Sequence, residues 1–289
     1  MSAADTAPDG PAFPYRLVAT DLDGTLLRSD DTVSARTRAA LDAVAGRGAA
    51  HIVVTGRAVP WTKQILADLG YRGLAVCAQG SQVYDAGSRR LLTSVTLDRR
   101  VAQEALERLE KEVGTVALAA SRDGVDGEVL AGPGYRVHDG PLPYVPFHDR
   151  AEIWREPLNK LYVQHPRLGD DELAEAARAA VGHLVGVVMA GEGIVELLPL
   201  GLTKAKGLAL AARRLKVRAA ETVAFGDMPN DIPMFAWAGH SVAMANAHEE
   251  LLAVADEVTA ANDEDGIALV LERLLDGRDA PAAGAPVSS

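Results

Sequence analysis

Leu17-Val18-Ala19-Thr20-Asp21-Leu22-Asp23-Gly24-Thr25-Leu26-Leu27 decides how the rest of the chain is read. Its left half, Leu17-Val18-Ala19, is an apolar run that reads as a short buried strand, and its right half reads as a turn. Asp21 and Asp23 stand at the strand end, where both carboxylates are forced toward one place. That is costly unless a cation neutralises them or one of them holds a proton. Gly24 lets the chain leave the strand at an unusual dihedral, and Thr25 adds a hydroxyl.

Outward from this strand the pattern repeats. Ser34 to Gly48 has helical spacing (Ala35, Ala39, Leu41, Val44, Ala45) and ends in glycines. Ile52-Val53-Val54 reads as a second buried strand ending at Thr55-Gly56-Arg57. A helix carrying Trp61, Ile65, Leu66 and Leu69 stops at Gly70, and Leu74 to Ala78 is a third strand. Near-continuous apolar strands alternating with helices predict a parallel sheet covered on both faces, an α/β fold. Ligands of such sheets bind at the carboxyl ends of the strands, where Asp21 and Thr55 stand.

From about residue 86 the texture changes. A charged amphipathic helix (Val101 to Val113) and another (Glu172 to Val181) mix with short strand-like runs at Val116–Ala120, Leu161–Val163, Leu184–Met189 and Ile194–Leu198. The turn-rich Gly132 to Pro146 interrupts them. This predicts an α+β domain at 86–195 inserted into a core made of 15–85 and 196–277. The βα rhythm resumes with a helix from Thr203 to Leu215, a strand Thr222–Phe225, a helix Asn230–Trp237, a strand Val242–Met244 and a helix Gly266–Leu275. Residues 1–14 and 278–289, rich in Ala, Pro, Ser and Gly, read as disordered tails.

The 289 residues are too many for one small domain, and an apolar fraction of 48% suffices for a sizeable core. A net charge of −11 would repel nucleic acid and anionic membrane surfaces, so neither is an expected partner. Cys77 is the single cysteine, which excludes an internal disulfide and reads as a buried strand thiol. No apolar run reaches the ~18–20 residues of a membrane helix. The first 14 residues, with Asp5, Asp9 and three prolines, lack the basic start and apolar block of a signal peptide. The expectation is a cytoplasmic protein, monomer or dimer.

Four polar clusters punctuate the βα rhythm: Asp21/Asp23, Thr55-Gly56, Lys204, and Asp227 with Asn230 and Asp231. Singly each has an ordinary explanation, such as a strand exit or an N-cap. Asp227 is harder to explain so, because Gly226-Asp227 closes an apolar strand where capping needs no acid. Lys204 and Lys206 oppose the helix dipole if they lie in the first turn, which makes sense if one of them meets an anion.

In this order the clusters resemble the four motifs of the haloacid dehalogenase (HAD) superfamily of phosphohydrolases, most closely its Cof-like branch with a type C2 (C2B) cap. Asp21-Leu22-Asp23-Gly24-Thr25 is similar to the first motif, Val54-Thr55-Gly56-Arg57 to the second, Gly201-Leu202-Thr203-Lys204 to the third, and Gly226-Asp227-Met228-Pro229-Asn230-Asp231 to the fourth. The resemblance spans about 15–275 and implies a Rossmann-like core with the cap inserted between the second and third motifs. It implies Asp21 as nucleophile and Asp23 as general acid and base. It further implies Thr55, Gly56, Lys204, Asn230 and the Leu22 backbone amide on the phosphoryl oxygens. Mg²⁺ would be held by Asp21, the Asp23 backbone carbonyl and Asp227, with Asp231 adjacent.

The chemistry agrees. A phosphate dianion repels an anionic nucleophile, so a carboxylate attacks only in a site that cations neutralise, and a hard cation with oxygen ligands is the natural choice. Asp23 also separates this motif from that of ion-pumping relatives, which carry Thr there. The expected function is a Mg²⁺-dependent phosphatase of small phosphorylated metabolites, sugar or cofactor phosphates, working through an aspartyl-phosphate. A phosphomutase of the phosphomannomutase type and a non-catalytic phospho-ligand-binding protein stay open as alternatives. Gln79-Gly80-Ser81, where the branch often shows Asn-Gly-Ala, and Met228-Pro229 depart from the pattern and bear on substrate choice. His138-Asp139 and His148-Asp149 lack the helices of a metal-dependent HD site and read as solvated loop. Tyr144, Phe147, Trp154 and Arg155 read mostly as cap core or cap surface.

Overall fold

The computed structural model describes residues 13–137, 143–191 and 193–278, so most of both expected tails, and His138 with Asp139, lie outside the described residues. Phe13, assigned to a tail by composition, is buried against the core with Val18 and Tyr15. An aromatic side chain this close to an apolar sheet gains more from burial than from chain freedom.

The chain opens with β1 (Leu17–Thr20), α1 (Ala35–Gly46), β2 (Ala50–Val54), α2 (Val59–Asp68), β3 (Leu74–Cys77), β4 (Gln82–Asp85) and β5 (Arg90–Ser94). It continues through α3 (Arg99–Val113), β6 (Ala117–Arg122), β7 (Val129–Ala131), β8 (Val145–Pro146), β9 (Leu158–Gln164), α4 (Asp170–Val181), β10 (Gly186–Gly191) and β11 (Ile194–Leu198). It closes with α5 (Lys204–Arg214), β12 (Thr222–Gly226), α6 (Ile232–Trp237), β13 (His240–Ala243), α7 (Glu249–Leu252), β14 (Glu257–Val258) and α8 (Gly266–Leu275).

Among the described residues the strands form two sheets, β14-β13-β12-β1-β2-β3-β4-β5 and β10-β11-β9-β6-β7-β8. In the first, β1, β2, β3, β12, β13 and β14 are parallel, which gives the α/β, Rossmann-like core. Alternate residues of each strand face opposite helix layers. Val18, Val53, Val223 and Phe225 meet α1 and α8, whereas Leu17, Ile52, Val54 and Ala224 meet α5 and α6. Cys77 is buried in β3, and burial pushes its thiol up to about 12, so it is an inert packing residue.

The second sheet is covered by helices on one face only. Leu118, Ala120, Leu161, Val163, Val195 and Leu197 pack on α3 and α4. The other face carries Ala119, Lys160, Tyr162, Ile194 and Glu196 and lies over the carboxyl ends of β1, β2 and β12. The change between the two sheets falls later than the change of texture at 86. β4 and β5 add an antiparallel hairpin to the edge of the first sheet. β11, which straddles 195/196, belongs to the second. The reason is that hydrogen-bonded edge pairing leaves no mark on composition. His148 and Asp149 are exposed, with Asp149 capping a short turn through the Ala151 amide at 2.9 Å, which agrees with a solvated loop. Phe147 is buried, Trp154 is half-buried, and Tyr144 and Arg155 are exposed.

Candidate active site

β1 ends where its pairing with β12 ends: the Asp21 amide still donates to the Phe225 carbonyl at 2.9 Å. The chain then turns through Gly24 at φ +68°, and the Leu27 amide closes the turn on the Leu22 carbonyl at 2.8 Å. A Cβ at Gly24 would stand 2.3 Å from Asp227 Oδ2, so glycine is needed for space as well as for conformation. Asp227, at the end of β12, accepts from Thr25 Oγ1 at 2.8 Å. One turn therefore joins the ends of two neighbouring strands.

Lys204 is the first residue of α5, behind its N-cap Thr203. It is 1% exposed, and its Nζ lies 2.9 Å from Asp21 Oδ1 and 2.8 Å from Asp231 Oδ1. Burial opposes the charge on Lys204, but the two carboxylates outweigh it and raise its pKa. The other Asp231 oxygen accepts from the Asp227 and Met228 amides, both at 3.2 Å. Asp231 is thus saturated by protein donors and orients the loop that carries Asp227.

Oxygens of Asp21, Asp227 and Asp231 lie within 4.8 Å of one another, all buried. Burial, only partly offset by Lys204, raises the Asp21 pKa well above the carboxylate range. Burial and the nearby Asp231 push Asp227 up to about 7. One buried ammonium cannot neutralise three close carboxylates, and the deficit is positive charge. The donors are all hard oxygens, so the residues fit Mg²⁺.

The Asp23 carboxylate stands apart from this cluster. Arg57 grips it with both guanidinium arms, Nε to Oδ2 at 2.9 Å and a second nitrogen to Oδ1 at 2.5 Å, beside the cleft. Thr55 is buried, its hydroxyl accepting from the Arg57 amide at 3.0 Å. Asn230 donates to Gln79 Oε1 at 3.2 Å and leaves its own Oδ1 buried without a partner among the described residues. Gln79 holds φ +57° in the loop after β3, and its amide also donates to Glu196 Oε2 at 2.9 Å. Gly80, at φ +98°, lets this loop approach α5: a Cβ there would meet the Thr203 carbonyl at 2.2 Å.

The sequence reading missed Lys160, Glu196, Arg57 and Gln79 as site residues. Lys160 of β9 and Glu196 of β11 form a buried ion pair, and Lys160 Nζ donates to the Gly56 carbonyl at 2.7 Å. Burial lowers the Lys160 pKa and Glu196 counters it. Through this pair the second sheet touches both the Gly56 turn and, by way of Gln79, Asn230. A signal was available: Lys160 and Tyr162 alternate with Leu161 and Val163, so β9 has one apolar face and one face built for something else. Between the two sheets a cleft of about 380 Å³ opens, lined by Asp21, Asp23 and Lys204 on one side and by Lys160, Tyr162 and Glu196 on the other.

The geometry agrees with three kinds of likeness to known proteins. The haloacid dehalogenase-like hydrolase family profile matches residues 18–271. An HMP-PP phosphatase of Serratia proteamaculans is 31% identical over 251 residues, covering 82% of this chain and 86% of the relative. A 5-amino-6-(5-phospho-D-ribitylamino)uracil phosphatase of Bacillus subtilis is 27% identical over 295 residues, covering 91% and 99%. The solved structure of a haloacid dehalogenase-like hydrolase from B. subtilis superposes with a TM-score of 0.77 at 26% identity, covering 90% of this chain and all of that one. The chain belongs to the haloacid dehalogenase-like hydrolases.

Proposed function

We propose that the protein is a Mg²⁺-dependent phosphatase that hydrolyses small phosphorylated metabolites through an aspartyl-phosphate on Asp21. The observation that carries this reading is the buried constellation of Asp21, Lys204, Asp227 and Asp231 at the ends of two parallel strands. Relatives named as phosphatases of a ribitylaminouracil phosphate and of HMP-PP support a small-metabolite substrate.

Asp21, with the Asp227 carboxylate and the Asp23 carbonyl, would hold Mg²⁺, with Asp231 behind them. When bound, the ion neutralises the carboxylates and polarises the phosphoryl group. The other steps belong to the chain. Lys204 holds Asp21 in place and supplies positive charge to a phosphoryl oxygen. Thr55, the Gly56 and Leu22 amides and Asn230, whose Oδ1 is unpartnered but whose amide can turn to donate, bind the remaining oxygens. Asp21 attacks phosphorus as the bond to the alcohol oxygen breaks, and Asp23 gives that oxygen its proton. Asp23 then takes a proton from the water that cleaves the acyl-phosphate. Arg57 orients the Asp23 carboxylate at the mouth of the cleft, and the cap excludes bulk water.

Inorganic phosphate release from a panel of sugar and cofactor phosphates, with Mg²⁺ and with EDTA, tests this on wild type and Asp21→Asn. Release that needs Mg²⁺ and Asp21 is expected. Full Mg²⁺-dependent release by Asp21→Asn would contradict it.

A further inference from the structure

Trp61 of α2, Tyr162 of β9 and Ile194 of β11 wall the reaction cleft and also a smaller pocket of about 70 Å³ that adjoins it. The floor of the smaller pocket is the uncovered face of the cap sheet, where Ala119, Val129 and Ala131 stand. Small side chains on that face leave the space. The Trp61 and Tyr162 rings lie 6.2 Å apart at 31°, and those of Tyr135 and Tyr162 6.4 Å apart at 60°, so three aromatic rings converge. A dry cavity of about 150 Å³ takes one benzene ring, so this pocket takes the leading edge of such a ring while the rest stays in the adjoining cleft.

The lining also carries a polar signal. Tyr162 is 4% exposed, yet its hydroxyl has no hydrogen-bond partner among the described residues. A buried hydroxyl in that state costs about 1–3 kcal/mol unless a ligand satisfies it. Burial raises its pKa well above the usual value, with Glu196 adding to the effect, so the group remains a donor.

We propose that this pocket receives the alcohol half of the substrate and selects a flat aromatic or heteroaromatic ring on a short linker over a polyhydroxylated sugar. The inference rests on the phosphatase reading above. A ring finds aromatic walls on its faces and the Tyr162 hydroxyl for an acceptor at its edge, while Arg57, Lys160 and Glu196 border the linker. A sugar would turn several hydroxyls toward carbon, each unmet one costing about 1–3 kcal/mol.

The test is steady-state turnover by the Mg²⁺-loaded full chain of benzyl phosphate and pyridoxal 5′-phosphate against glucose 6-phosphate, mannose 6-phosphate and ring-free acetyl phosphate. The ring-bearing esters should exceed the sugar phosphates in kcat/KM by about tenfold or more. Ala119→Leu, which fills the pocket, should lower the ratio of ring-bearing to sugar turnover by about tenfold. Tyr162→Phe keeps the volume, and carries the test if Ala119→Leu does not fold; it should lower the ratio of pyridoxal phosphate to benzyl phosphate turnover severalfold. Sugar phosphates turned over as well as the ring-bearing esters, with acetyl phosphate hydrolysed in an Asp21-dependent way, would overturn the ring pocket and leave the phosphatase standing. No release from any compound, acetyl phosphate included, would overturn both.

Discussion

Gly24 carries more of the site than its lack of a side chain suggests. Its positive φ turns the chain out of β1, and its missing Cβ leaves the space that Asp227 Oδ2 occupies. Gly24→Ala should displace Asp227, weaken Mg²⁺ binding and lower kcat/KM by about tenfold or more, read from the Mg²⁺ dependence of phosphate release. Wild-type Mg²⁺ affinity in the variant would show that the close approach is not needed. Lys204 sits between two buried carboxylates, and in the proposed mechanism it meets substrate as well. Lys204→Ala should cost about a hundredfold or more in kcat and also lower the melting temperature, because Asp21 and Asp231 lose their shared partner. Unchanged kinetics would move the phosphate site elsewhere. At this scale residue type and position marked Asp21, Asp227 and Lys204 as costly where they stand, but only their order along the chain and the family resemblance joined them, and the structure brings them together. Arg57 was not, since an arginine in a strand-exit turn says nothing of the acid it will grip across the loop.

The cap sheet shows how an element can be half read. Its strand-like runs and two amphipathic helices were visible, and they pack as their apolar spacing requires. The ion pair on the uncovered face was not visible, because Lys160 and Glu196 lie far apart in sequence and meet only when β9 and β11 pair. The hairpin of β4 and β5 escaped for a similar reason, since an antiparallel edge resembles cap texture. Lys160→Ala should destabilise the protein by about 3–5 kcal/mol, because Glu196 is left buried and unpaired. The double variant Lys160→Met with Glu196→Leu should recover most of that stability, yet it should still turn over substrate slowly, since Gly56 and Gln79 lose their contacts with the cap. Thermal melts and kinetics on the three proteins check this, and a double variant with wild-type kcat would confine the pair to a structural role.

For the whole molecule the decisive quantity is negative charge buried at the carboxyl ends of β1 and β12. Burial and the nearby Asp231 push the Asp227 carboxyl up to about 7, and burial raises Asp21 as well. A carboxylate raised in the folded state favours folding below its unfolded value and withdraws that stability as pH climbs through the folded one. The metal-free protein should therefore lose stability across that window as its carboxylates ionise against one another. Mg²⁺ binds the ionised form, so its increment in melting temperature should be larger at about pH 8 than at about pH 5. Equal increments at both pH values would place the ion away from these carboxylates. Among the described residues no helix is long and apolar enough to cross a membrane.

The most direct measurement of the central claim is a rapid acid quench of Asp23→Asn turning over acetyl phosphate with Mg²⁺, followed by peptide mass spectrometry. With acetyl phosphate, whose leaving group needs no proton, Asp21 of the Asp23→Asn variant can still attack phosphorus, but the variant cannot activate the water that clears the acyl-phosphate. The expected result is one phosphoryl group on the peptide containing Asp21, labile to hydroxylamine and absent when Asp21 is also changed to Asn. Phosphate release from Asp23→Asn with no phosphoryl group on that peptide at any quench time would contradict the account.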